Sequence, residues 1–179
     1  MSLLDDIKDK MFGVEKLAGK IPGYKGYKEK ELRREADKLL RETIVSRMRT
    51  VKKQLDGLQQ EIIEVGKFDL LDEVGSAATQ LQTFIDRVRT ASYGYGGLFS
   101  AVRVKEEDLD RMYQFDTMLL EYANRIEGAV SRAREGLSGD DARSQILLIR
   151  DLTREANATF DDRQEVIKGT YEVGSETSV

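Results

Sequence analysis

The sequence predicts an all-α fold in which long antiparallel helical hairpins form an elongated bundle or coiled coil, led by a short N-terminal amphipathic helix. Three observations carry that prediction. Apolar residues recur at spacings of three and four along five separate stretches, the period of a helix with one buried stripe. Charged residues make up 35% of 179 residues and proline occurs once, a composition suited to long solvated helices. The breaks between several stretches are short, which favours antiparallel neighbours. The length fits one helical domain over residues 1–169, followed by a polar tail, 170–179, expected to be mobile.

The first helix is expected over residues 1–21. Ser2 can cap it, and Leu4, Ile7, Met11, Val14, Ala18 and Ile21 form its stripe. Asp5, Asp6 and Asp9 near its start and Lys16 and Lys20 near its end suit the helix dipole. Gly13 and Gly19 weaken it, so its apolar face needs a partner: the rest of the chain, a second subunit or a membrane surface. Pro22, Gly23 and Gly26 then turn the chain.

A long helix is expected over 28–65, with Leu32, Ala36, Leu40, Ile44, Met48, Val51, Leu55, Leu58, Ile62 and Val65 as its stripe. It would be roughly 55 Å long. Up to Met48 the steps are all four, which rotates the stripe by about 40° each time; beyond it they alternate three and four, a true heptad. The first third therefore points its apolar side toward a different neighbour. Lys67 to Asp69 form a short connection to a helix over 70–92, carrying Leu71, Val74, Ala78, Leu81, Ile85 and Val88 with Phe84 beside them. The run Ser92-Tyr93-Gly94-Tyr95-Gly96-Gly97 breaks it, and an apolar connector follows. The next helix, 106–137, uses Leu109, Met112, Leu119, Ala123, Ile126, Val130, Ala133 and Leu137; the last, 141–168, uses Ile146, Ile149, Leu152, Ala156, Phe160 and Ile167, with Gly169 as its stop. A tyrosine and glycine turn ahead of helices at Tyr24 and again at Tyr93 is a weak internal echo, which two similar hairpins would explain.

The chain contains neither cysteine nor histidine. That removes disulfides, thiol nucleophiles, the commonest general base and the commonest metal ligand. The histidine-containing di-iron pattern of helical bundles is absent as well. The sequence gives no catalytic residue, no metal site and no cofactor. No apolar run approaches the length of a membrane span, and the acidic opening is unlike a secretory signal, so a cytoplasmic location is expected, extending to the inner face of the membrane if lipid is bound.

The net charge of −4 hides an asymmetry. Between Glu15 and Lys53, thirteen Lys and Arg stand against six Asp and Glu, a net +7, leaving −11 for the remainder. The candidate binding residues lie here: Tyr24, Lys25, Tyr27, Lys28, Lys30, Arg33, Arg34, Lys38 and Arg41. Lys30, Arg34, Lys38 and Arg41 would share one helix side, where their charges add against anionic lipid or an acidic protein. Interleaved Glu29, Glu31, Glu35, Asp37 and Glu42 also offer local pairs, so a solvated salt-bridged face accounts for the same residues. Nucleic acid is the weakest partner class, since the whole chain is acidic and carries no nucleic-acid motif.

Asp116 falls where the heptad between Met112 and Leu119 calls for an apolar side chain. Either it is a buried partner for Arg or Tyr, or the seam shifts to Phe115; the volume of Phe115 favours the shift. These features predict a non-enzymatic helical scaffold that self-associates as a homo-oligomer and meets an anionic membrane surface through its first 41 residues. An adaptor for an acidic protein, and a helical enzyme or carrier with a carboxylate and tyrosine pocket, are the alternatives. The order of amphipathic leader, basic turn and long hairpin resembles the layout of bacterial membrane-remodelling scaffolds of the phage-shock type. It shares no motif with them, and no residue role is carried over.

Overall fold

Four helices bury their stripes against one another in the computed structural model, which describes residues 15–91, 99 and 104–170. They are α1 (Arg33–Glu64), α2 (Leu71–Thr90), α3 (Glu106–Glu135) and α4 (Asp141–Lys168). Among the described residues there is no strand, and the fold is an all-helical bundle. No described helix is long and apolar enough to cross a membrane. Residues 1–14 of the helix expected over 1–21, the tyrosines and glycines of 93–97 and the tail from 171 onward lie outside the described residues.

The stripes are the core. In α1, Ala36, Leu40, Ile44, Met48, Val51, Leu55, Leu58 and Ile62 are buried, and Val74, Leu81, Phe84, Ile85 and Val88 of α2 join them. Met112, Leu119, Ala123, Ile126 and Val130 of α3 and Ile146, Ile149, Leu152, Ala156 and Phe160 of α4 complete a single cluster. At about 25 cal/mol per Å² of apolar surface, this burial is the main force holding the bundle. The two ends of the α1 stripe depart from the expected pattern. Leu32 is half-buried and Val65 is exposed, because α1 begins at Arg33 instead of Lys28 and ends at Glu64. The end of α1 is set by Gly66, whose φ of +75° lets the chain reverse while the Lys67 N–H reaches back to Ile62 O at 3.1 Å.

Helix contacts run α1 with α2, α2 with α4, α4 with α3 and α3 with α1. Polar pairs show the sense of two of these contacts. Arg47 of α1 meets Asn124 of α3, and Gln54 and Glu61 meet Arg134, so α1 and α3 lie side by side in the same direction. Arg143 of α4 pairs with Asp69 and Glu73 at the start of α2, and Arg87 near the end of α2 pairs with Asn157 and Asp161 of α4, which gives the same result for α2 and α4. Near the start of α1, Asp37 reaches Arg163 of α4 at 2.7 Å, whereas Arg47, Gln54 and Glu61 farther along meet α3.

The last turn of the N-terminal segment packs on the same core. Residues 15–18 are helical, and Leu17 and Ile21 are fully buried. For this part of the segment, the rest of the chain supplies the apolar partner.

Candidate functional site

Two features concentrate charge: a buried cluster where the N-terminal segment meets the bundle, and an open basic face on α1. The cluster begins with Ile21 to Tyr27. Gly23 and Gly26 adopt φ of +80° and +83°, values that side-chain-bearing residues rarely take, and the two reversals turn Tyr24 and Tyr27 inward. Lys25 and Lys28 consequently face solvent. The Tyr24 and Tyr27 rings meet edge to face at 5.9 Å, and Tyr27 lies 5.4 Å from Tyr113.

Arg163 is the centre of the cluster. It is fully buried, as is Asp116. Its Nε donates to Asp116 Oδ1 at 2.6 Å, one terminal nitrogen donates to Asp37 Oδ1 at 2.7 Å and the other to the Tyr27 hydroxyl at 3.0 Å. The Tyr27 hydroxyl donates to Asp116, and that of Tyr24 lies 3.3 Å from the same carboxylate oxygen. Arg41 Nε donates to Asp37 at 2.9 Å. Two backbone bonds anchor the segment: the Tyr27 N–H donates to the Tyr113 hydroxyl, and Arg33 Nε donates to Tyr27 O, both at 2.9 Å. Asp37 and Asp116 balance Arg41 and Arg163, and Arg33, bonded to the Tyr27 carbonyl, adds a third guanidinium beside them.

Burial shapes its ionisation. It pushes the Asp116 carboxyl above its ordinary value against the pull of Arg163. It also pushes the Tyr24 and Tyr27 phenols up, with the Asp116 charge adding to the effect, so both stay protonated and donate. Burial alone would lower Arg163, yet Asp116, Tyr27 and Asp37 together hold it well above its ordinary range. Both Asp116 oxygens are thus occupied by donors from the protein. The expected shift of the seam to Phe115 does not occur: Phe115 is half-buried and Asp116 itself takes the heptad position, because Arg163 and two phenols meet its charge.

Of the sequence-predicted site residues, Tyr24, Tyr27 and Arg33 are buried and belong to the cluster instead of an exposed strip. Arg41 is half-buried and turned toward Asp37. Lys30 precedes α1, so it does not continue the helical spacing of Arg34, Lys38 and Arg41. Lys25, Lys28, Lys30, Arg34 and Lys38 are exposed, Lys38 lying 3.8 Å from Glu42. The basic face extends past the expected strip into an open groove of about 810 Å³, in which Lys38, Arg41 and Arg49 of α1 stand opposite Arg89 at the end of α2.

Sequence reasoning missed Arg163, Asp37, Arg49 and Arg89. A signal existed for the first. The α4 stripe passes from Phe160 to Ile167 across a charged residue, as the α3 stripe passes from Met112 to Leu119 across Asp116, and the two interruptions have opposite sign. Among the described residues, no group of three or more Asp or Glu is placed to hold a metal ion. Comparison with known protein families, curated proteins and solved structures yields no match for this chain.

Proposed function

We propose that the chain is a non-enzymatic helical scaffold whose working surface is the basic face of α1. In this reading the helices pair as two antiparallel hairpins lying side by side, and copies of the chain self-associate through their outer faces. The observation that carries the proposal is a division of charge. The polar groups buried around Arg163 are spent on one another, while Lys25, Lys28, Lys30, Arg34 and Lys38 are exposed before and within the start of α1. A polar cluster with its acceptors filled suits architecture, and a group of exposed cations suits contact with an anionic surface.

The cluster supports this reading. By holding Tyr24 and Tyr27 in the bundle, it sets Lys25 and Lys28 beside the start of α1. Flotation with phosphatidylserine-containing and neutral vesicles, at low and high salt, tests the membrane form of the proposal; sedimentation of the free protein tests self-association. Salt-sensitive flotation with the anionic vesicles alone is the supporting result. A second reading, an adaptor for an acidic protein, is favoured by the groove that Lys38, Arg41, Arg49 and Arg89 line.

A further inference from the structure

We infer that the groove between α1 and the end of α2 is a docking site for an acidic segment of a partner protein. The inference rests on the reading of the basic face as the working surface and names what that surface takes. Lys38 and Arg49 rise from one wall and Arg89 from the other, Arg41 lies back in the wall against Asp37, and Glu42 is the acid among them. A narrow chain laid in the trough meets cations from both sides; a flat bilayer meets only the rims. Asp37 engages Arg41, Asp86 engages Arg89 and Glu42 lies 3.8 Å from Lys38, so these three cations are partly compensated. Four cations against Glu42, Asp37 and Asp86 still leave a net charge of +1, and exposed Arg49, which none of these three acids engages, is placed to take a carboxylate. Val45 gives the floor an apolar patch for the stems of acidic side chains.

The dimensions fix the length of the ligand. Lys38 to Thr50 spans about 18 Å of helix, which matches about six residues of extended chain at about 3.3 Å each. Such a contact draws its rate and specificity from charge and weakens with salt.

The test uses the full chain and a fluorescein-labelled octapeptide of alternating Glu and Asp, with its Gln and Asn counterpart as reference, followed by fluorescence anisotropy. The groove variant is Lys38→Glu/Arg49→Glu/Arg89→Glu. A control variant, Arg125→Glu/Arg132→Glu/Arg154→Glu, makes the same charge change at exposed positions of α3 and α4. Circular dichroism checks that each is folded, and Arg49→Glu alone serves if the triple variant is not. The expected result is binding of the acidic peptide only, weakened tenfold or more by the groove variant and less than threefold by the control. Equal weakening by both variants would overturn the inference, because net charge alone would then account for binding. Anionic vesicles bound through the same residues with no peptide binding would overturn the inference and uphold the basic face as the working surface. Failure of both probes would overturn both.

Discussion

Helix α4 carries at each end an arginine that bridges two carboxylates, and the two arrangements differ first in their access to water. Arg163 joins Asp37 and Asp116 with all three side chains at most 3% exposed. Arg143 joins Asp69 and Glu73 with side-chain exposures of 43%, 69% and 22%. Water screens the second set and competes for every bond it makes, so these pairs add little. Around Arg163 no water competes, so each charge depends on its partner to offset the loss of hydration. The same residue types give a dispensable contact at one end of α4 and a structural requirement at the other.

The comparison breaks most visibly if Arg163 is replaced. Arg163→Met leaves the fully buried Asp116 without its charged partner and Asp37 with Arg41 alone, and is expected to cost about 3–5 kcal/mol in urea unfolding. Asp116→Leu/Arg163→Met, which removes the fully buried pair and leaves Asp37 with Arg41, is expected to recover most of that loss, since a well-packed apolar replacement leaves no charge unpaired. Tyr27→Phe keeps the ring packing and deletes a hydroxyl bonded to both Asp116 and Arg163; about 1–3 kcal/mol is expected from the same measurement.

Acidification sharpens the contrast through its sign. Because burial raises the Asp116 carboxyl above its unfolded value, the folded protein binds more protons than the unfolded one between the two values. Stability gained from this group is fully present below the unfolded value and is lost as pH rises through the folded one. The stability of the native chain relative to Asp116→Asn is therefore expected to rise as pH falls from 7 toward 4, read from parallel urea curves. The smallest effect belongs to the exposed end: Arg143→Ala is expected to leave the thermal midpoint unresolved from that of the parent.

Much of the bundle was legible because burial and periodicity are local properties of the chain. The stripes of α2, α3 and α4 name most of the residues that form the core. The start of α1 was not legible. Lys28 to Leu32 fit a helical pattern, but insertion of Tyr27 into the bundle and the bond from Arg33 to its carbonyl keep them out of the helix. The cluster was half legible: Asp116 stood out as a charge in a heptad, while Asp37 was disguised as an ordinary i, i+4 partner of Arg41. Its second carboxylate oxygen bonds to a residue 126 positions away, which no local pattern encodes. Tyr24 and Tyr27 misled for a related reason, since tyrosines among lysines read as a binding surface until the turn at Gly23 and Gly26 separates the two residue types to opposite sides.

The central claim is that the Arg163 cluster pins the segment before α1 to the bundle and so positions the basic face. Amide hydrogen exchange of Tyr27, whose N–H donates to the Tyr113 hydroxyl, reads this directly when compared with Leu55 in the middle of α1. In the native chain the Tyr27 amide is expected to be strongly protected, and Arg163→Met is expected to speed its exchange far more than that of Leu55. A Tyr27 amide that exchanges freely in the native chain, or that responds to Arg163→Met no more than Leu55 does, would contradict the claim.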